Sequence, residues 1–242
     1  MALFIARCKA KQLTAIKSIL VRMKSVERAI EKYQQSDLRV LVLLRDPRGI
    51  MRSRMAINDG YNKKYKSKDE ALRIHSEMLC KAMADDARIA KEIQKKHPNP
   101  IVVVHYEDIA NYTKTAANYT YRNLKLGNPP VEVLAAVSRL HGHKKSGTYG
   151  VYSSNCYTLI NQTPTFNSFT VLDDYYKKFI NCRRDSVATA YKWKKSWSFK
   201  QVQLIDEGCK DYYKYIGYEP VGSEQELSDP NNYHRTRFIP LT

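Results

Sequence analysis

One stretch constrains the fold more than any other: Arg39 to Met55, RVLVLLRDPRGIMRSRM. Val40 to Leu44 form an unbroken apolar run, the pattern of a strand buried on both faces of a parallel sheet. Asp46 and Pro47 follow at once and read as a helix start, with an aspartate cap and a proline in the first position, where no backbone donor is needed. The chain therefore passes from a strand directly into a helix N-terminus. Such a start presents free backbone N–H groups and the positive end of the helix dipole, which together favour an anion. Arg45 adds a cationic fork beside it, and Gly49 and Ser53, one helical turn apart, share a helix face. A phosphate fits this arrangement. An ordinary capped helix with its arginines in solvent fits the same pattern.

The chain of 242 residues is long enough for one α/β domain with a sizeable core. We expect that domain over residues 1–220 and a polar, poorly ordered tail over 221–242. Lysine and arginine outnumber aspartate and glutamate 41 to 24, a surplus of 17 that attracts phosphorylated or sulfated partners. The basic residues are spread along the chain, and no RNA-binding signature accompanies the 18 tyrosines, so nucleic acid is not the expected partner. No pair among Cys8, Cys80, Cys156, Cys182 and Cys209 has zinc-ligand spacing, and His141-Gly142-His143 has no third ligand nearby, so no metal is expected. The odd cysteine count leaves at least one thiol unpaired within the chain of a secreted protein. Three acceptor triplets, at Asn111, Asn118 and Asn161, would allow N-glycosylation in a secretory compartment. The N-terminus, MALFIARCKAK, is too short in apolar residues for a signal or a membrane span, so either the protein is cytosolic or its true N-terminus lies upstream.

In chain order, residues 14–23 (TAIKSILVRM) read as a strand and Ser25–Tyr33 as a helix capped by Ser25, which makes a β-α-β unit with the central strand. Residues 58–68 read as a solvated, lysine-rich loop. Asp69–Lys96 has helical periodicity, read as one long amphipathic helix or two joined ones, with Cys80 as a core residue. Ile101–His105 is a second short strand, and Tyr106-Glu107-Asp108 stands at its carboxyl end, where ligands gather in open α/β sheets. Capping the next helix, or pairing with an arginine, explains those carboxylates equally. A helix over Val131–His141 follows two prolines, and residues 142–170 form a long irregular segment suited to a substrate-facing loop. Val187–Trp197 and Phe199–Ile216 are helical, with Gly217 as the stop, and Arg183 and Arg184 stand where they could clamp a second phosphate.

These residues, taken in order, resemble the carbohydrate sulfotransferases, the Golgi enzymes that sulfate C6 of N-acetylglucosamine or galactose. The likeness is carried by VLVLLRDPRGIMRSRM, by SVERAIEKY before it, and by Cys80 and Asp85 in the long helix. It continues through VHYEDIA, the Leu140–His143 region, Arg184-Asp185-Ser186 with Trp193-Lys194, and Cys209 with Tyr215–Tyr218. The resemblance implies a P-loop-type sulfotransferase fold, a three-layer α/β arrangement with a parallel sheet flanked by helices. It implies the sulfate donor PAPS (3′-phosphoadenylyl sulfate), with Arg45 and Ser53 on its 3′-phosphate, Arg184 as a further donor contact and no metal. It also implies a glycan or glycoprotein acceptor such as keratan sulfate, and a Golgi lumenal enzyme held as a type II membrane protein in its full-length form. The family's glycine- and serine-containing loop for the 5′-phosphosulfate has no counterpart before residue 14, so the chain is expected to be N-terminally truncated, without that loop or the anchor. The family's base is expected between the two donor motifs and stays unassigned, with Glu107 as a placeholder. Two other readings stay open: a catalytically inactive homologue that binds nucleotide or glycan and, more remotely, a basic nucleic-acid-binding protein.

Overall fold

A computed structural model describes residues 14–33, 37–57, 65, 67–98, 101–140 and 186–235. The lysine-rich loop, the segment from His141 to residue 170, Arg183, Arg184 and the Asn161 triplet lie outside the described residues, the loop except for Tyr65, Ser67 and Lys68.

The central strand and the one after it form as expected. β1 (Val40–Leu44) pairs in parallel with β2 (Ile101–His105), in the register Val40 with Ile101 through Leu44 with His105. Between them run α2 (Pro47–Ile57) and α3 (Lys68–Lys96). The β-α-β unit therefore begins at residue 40, not at residue 14 as the alternation suggested. Residues 14–22 carry no regular structure, and Ile16, Ile19, Leu20 and Val21 are exposed. Locally, Ser18 Oγ accepts from the backbone N–H groups of Leu20 and Val21, an alternative to strand pairing that serine side chains offer. The helix that follows, α1 (Met23–Lys32), is not capped by Ser25. Its N-cap is Arg22, whose side chain reaches Asp86 of α3, and the same carboxylate accepts from Met23 N at 2.9 Å.

β1 also departs from the expected two-sided burial. Val40, Val42 and Leu44 face the core made with α1, α3 and the C-terminal helices, whereas Leu41 and Leu43 are 45% and 54% exposed. Their neighbours Val102 and Val104 are buried under Ala116 and Leu124. Ala116 belongs to α5 (Thr113–Asn123), which follows the short α4 (Tyr106–Asn111). Helices thus cover both faces of β2 and one face of β1. Among the described residues the sheet has these two parallel strands, flanked by helices in an α/β arrangement. After α5 comes α6 (Val131–Leu140), behind the two prolines as expected.

α3 is the spine. Its 29 residues span roughly 44 Å at 1.5 Å each. Ser67 caps it by accepting from Glu70 N, and the chain leaves it at His97 ahead of Pro98. The helical run over Val187–Trp197 proves to be two pieces, α7 (Ser186–Ala190) and a 3₁₀ turn (Lys192–Lys195). Residues 199–216 likewise divide into α8 (Phe199–Cys209) and α9 (Tyr213–Ile216), and Gly217 ends α9 with φ +72°.

α8 lies directly against α3. A Cβ built on Gly208 would stand 2.6 Å from Arg73 O and 2.7 Å from Ser76 Oγ, so only glycine permits this approach. One residue later Cys209 is bridged to Cys80, with the Cα atoms 5.3 Å apart. Cys80 is therefore buried, as its helical position implied, but as half of a disulfide. The polar tail expected beyond Pro220 is packed as far as residue 235. Val221 and Leu227 are buried in the main core, Ser223 caps α10 (Glu224–Ser228), and Arg235 pairs with Tyr218 in an antiparallel bridge. Two apolar anchors among polar neighbours are too sparse to register as a pattern, yet they hold the segment down. No described helix is long and apolar enough to cross a membrane.

Gly208→Ala is expected to lower unfolding free energy by about 1–3 kcal/mol, the range for overpacking a tight contact. Urea unfolding of the oxidised protein measures it, and an unchanged midpoint would contradict the close approach.

Candidate functional site

The turn from β1 into α2 is built as its residue types dictate. Asp46 Oδ1 accepts from Arg48 N at 2.8 Å, which caps α2 while Pro47 takes its first position. Arg45, the last residue before the cap, lies partly buried with its guanidinium 4.7 Å from the Tyr106 ring centroid. Its Nη2 approaches the Thr189 carbonyl oxygen at 3.5 Å, and its Nε is buried with no hydrogen-bond partner among the described residues. A Cβ on Gly49 would stand 3.4 Å from that Nε and 3.5 Å from Trp193 Cδ1, so the glycine keeps a narrow space open between helix and arginine. Ser53 lies one turn further along α2 and is partly exposed. A buried, unsatisfied cationic N–H at the positive end of a helix is an arrangement that an oxyanion completes.

Beneath this turn lies a network of buried ions. Arg48 is 0% exposed and grips its own cap: Nε and Nη2 donate to the two oxygens of Asp46 at 2.9 and 3.1 Å. Nη1 donates to Glu219 O at 3.1 Å and lies 3.5 Å from Asp206 Oδ1. The guanidinium stacks on Trp193, 4.4 Å from the ring centroid. Burial works against this charge, but Asp46, Tyr213 and Asp206 outweigh it and hold the Arg48 pKa above its ordinary value. Asp206 in turn accepts from Val221 N at 2.8 Å and from the Tyr213 hydroxyl. Burial raises its pKa, and the Arg48 charge opposes the rise.

Glu107, in the first turn of α4, closes the network from the end of β2. It is 0% exposed; one carboxylate oxygen accepts from Asp46 N at 3.1 Å and the other from the Tyr218 hydroxyl at 2.8 Å. Burial, aided by the Asp46 charge, pushes its pKa up to about 7. Its neighbour Asp108 pairs with Arg235, the arginine partner allowed for in the sequence. His105 Nε2 meets the Ile216 carbonyl at 2.8 Å, so the proton sits there and Nδ1 faces Arg235 Nη1 at 3.5 Å. Burial holds the His105 pKa down to about 4.

The structure thus brings Arg45, Gly49 and Ser53 to one helix start and places Glu107 underneath it. Arg184 lies outside the described residues, but α7, beginning at Ser186, carries the Thr189 carbonyl that meets Arg45. Arg48, Asp206, Tyr218 and Arg235 are site-supporting residues that sequence reasoning missed. Arg48 was visible inside the motif but looked like one of several solvent arginines. Asp206 and Arg235 carried no signal, because their partners are 158 positions away at Arg48 and 127 positions away at Asp108.

The chain is 23% identical to carbohydrate sulfotransferase 3 of Homo sapiens over 223 residues, covering 88% of this chain and 40% of that protein. The chain is a homologue of the carbohydrate sulfotransferases. It is 24% identical over 236 residues to carbohydrate sulfotransferase 1 of Mus musculus, covering 92% of this chain and 49% of that protein. With carbohydrate sulfotransferase 2 of Mus musculus it shares 22% over 261 residues, covering 95% and 44%. The chain spans less than half the length of these curated relatives. No family profile matches it, and no solved structure matches it.

Two outcomes follow from the network. Arg48→Met leaves Asp46 and Asp206 buried without their cation and is expected to cost about 3–5 kcal/mol in urea unfolding; a loss below about 1 kcal/mol would show that the charges are not coupled. Glu107 has a folded pKa of about 7 against an ordinary 4.5, so folding favours its protonated form. Its contribution is fully present below pH 4.5 and is lost as pH rises through about 7. His105 acts oppositely, since its folded pKa of about 4 lies below the ordinary 6.5 and its contribution is lost as pH falls through about 4. Because both titrate, the difference between wild type and Glu107→Gln isolates the carboxylate. The variant is expected to gain stability relative to wild type from pH 5 to pH 8, and a pH-independent difference would refute the assignment.

Proposed function

We propose that this chain carries the nucleotide-gripping part of a PAPS-dependent carbohydrate sulfotransferase, with Arg45 and Ser53 on the 3′-phosphate of the donor. The observation that supports it most directly is the buried, unpartnered Nε of Arg45 beside Gly49 at the start of α2, in a chain whose relatives are carbohydrate sulfotransferases. The residues present fit the group: a phosphate supplies the acceptor oxygen that Nε lacks, at the positive end of the α2 dipole. Ser53 adds a hydroxyl one turn along the same face. Arg184 is the proposed second donor contact, two residues before α7, whose Thr189 carbonyl already meets Arg45.

PAPS supplies an activated sulfuryl group and a phosphate leaving group. The chain's own residues bind and orient. Arg45 neutralises the 3′-phosphate, and Tyr106, stacked on its guanidinium, holds the fork in place. Below them the Arg48–Asp46 pair and Glu107 keep the turn rigid, so the donor is held without reorganisation of the site. Glu107 acts in this reading as a positioning residue, because both its oxygens are already engaged and it has no exposed surface. The base that deprotonates the acceptor hydroxyl is not assigned to any described residue. The acceptor class is a glycan or glycoprotein, with the 6-hydroxyl of N-acetylglucosamine or galactose, as in keratan sulfate, the target implied by the sequence likeness. The proposed compartment is the Golgi lumen, supported by the Cys80–Cys209 bridge, since such bonds persist in oxidising compartments.

Titration calorimetry with 3′,5′-ADP tests the grip. Arg45→Ala is expected to weaken binding roughly 10- to 100-fold, the range for losing a hydrogen bond to a charged group, and Ser53→Ala by less. Equal affinity of Arg45→Ala and wild type would overturn the proposed site. Transfer of ³⁵S from labelled PAPS to a keratan-type acceptor tests the reaction. Arg45-dependent binding without transfer would make the chain a nucleotide-binding homologue instead.

A further inference from the structure

Asn111-Tyr112-Thr113 and Asn118-Tyr119-Thr120 are the same triplet, so the sequence alone makes them equivalent acceptors. The fold separates them. Asn111 ends α4 with its Nδ2 donating to the Tyr191 hydroxyl at 2.6 Å, and Thr113 is buried. Tyr191 is itself partly buried, and burial pushes its pKa up to about 12. A sugar on Asn111 Nδ2 would have to grow from the atom that bonds Tyr191, beside the α4 and α7 helices, which pack on one another.

Asn118 stands in a different setting. It lies in the middle of α5, and its neighbours one turn away on the same stripe, Lys114 and Arg122, are both exposed. The buried residues of α5 are Thr113 and Ala116, and Tyr119 packs against the same core. Asn118 Nδ2 donates to the Lys114 carbonyl of its own helix at 3.1 Å, an exposed bond that engages no second element. Asn118 is itself half-buried, but a substituent on Nδ2 lies on the stripe between exposed Lys114 and Arg122 and displaces no tertiary hydrogen bond among the described residues.

We propose that Asn118 is an N-glycosylation site of the folded protein and that Asn111, despite its identical triplet, is not. The inference rests on the lumenal compartment proposed above but not on the donor site. The donor is an oligosaccharide linked to a lipid diphosphate, and the catalyst is the transferase of the secretory lumen. The bond from Asn118 Nδ2 to sugar C1 forms as the C1–O bond to the diphosphate breaks. The diphosphate leaves with the bonding electron pair, and the proton lost from Nδ2 passes to the transferase's base. Such a transfer acts on extended chain, where both triplets are accessible, and folding then selects: a chain modified at Asn111 loses the Tyr191 hydrogen bond, whereas one modified at Asn118 loses only a bond within its own helix among the described residues.

The full chain, directed to the secretory lumen of animal cells behind a cleavable leader, provides the test. The folded, soluble fraction is deglycosylated enzymatically in ¹⁸O-water, which marks each released site as a heavy aspartate in peptide mass maps. Asn118 is expected to carry the mark at several-fold higher occupancy than Asn111. Asn118→Gln and, independently, Thr120→Ala are expected to remove one glycan from the gel mobility, and Asn111→Gln to remove none. Asn118 unmarked in protein whose Cys80–Cys209 bridge is present would overturn this proposal and leave the lumenal reading standing. Equal or greater marking at Asn111 would overturn it as well. No mark on either site together with reduced Cys80 and Cys209 would overturn both.

Discussion

The structure around the proposed donor site depends on one buried cation. Arg48 sits wholly out of solvent, and a guanidinium in that position is tolerable only when each side of it is answered by a carboxylate, a carbonyl or an aromatic face. One answer is local, Asp46 from the same turn, and the others come from distant parts of the chain: Asp206 from α8, the Glu219 carbonyl from the stretch after α9, and Trp193 from the 3₁₀ turn. Arg48 therefore joins the helix start that faces the anion to the C-terminal third of the molecule. A displacement of α8 or of the segment after it would break contacts of Arg48 that fix the start of α2.

The C-terminal third is held against the spine by independent means. Gly208 lets α8 approach the backbone of α3, and Cys80–Cys209 locks the approach covalently across 129 residues of sequence. Closing so long a loop restricts the unfolded chain by about 4–5 kcal/mol in the chain-entropy account. The segment after Pro220 completes the enclosure. Val221 donates its N–H to Asp206, and Arg235 neutralises Asp108 beside His105. Residues that look like a solvated tail are thus the outer wall of the ion network, and they keep Glu107 and His105 away from water.

Legibility in the sequence followed the range of the interactions. β1, the Asp46 cap, Pro47 at the helix start, the helical character of α3, β2 after the proline-rich break and the Gly217 stop were all readable, because each depends on residues within a few positions of one another; that α3 is one helix and not two was decided by the structure. The strand expected at residues 14–23 failed because alternation alone does not provide a partner, and Ser18 satisfied the local backbone instead. The core of the site followed the same rule. Arg45, Gly49 and Ser53 were visible as one anion-favouring face. Glu107 was visible as a carboxylate at a strand end, but not as a buried group shared between Asp46 and Tyr218.

The amino-acid sequence by itself determined the strand-to-helix turn, the surplus of positive charge along the chain and the likeness to the carbohydrate sulfotransferases. Tertiary structure alone decided which of its charges are buried. It made Arg48 a structural cation and left Arg45 Nε unsatisfied, although the two lie three positions apart in one motif. It likewise gave two identical Asn-Tyr-Thr triplets different surroundings. The physical reason is common to both cases. Desolvation is set by whatever chain packs against a residue, and that chain comes from positions too distant for any local pattern to record.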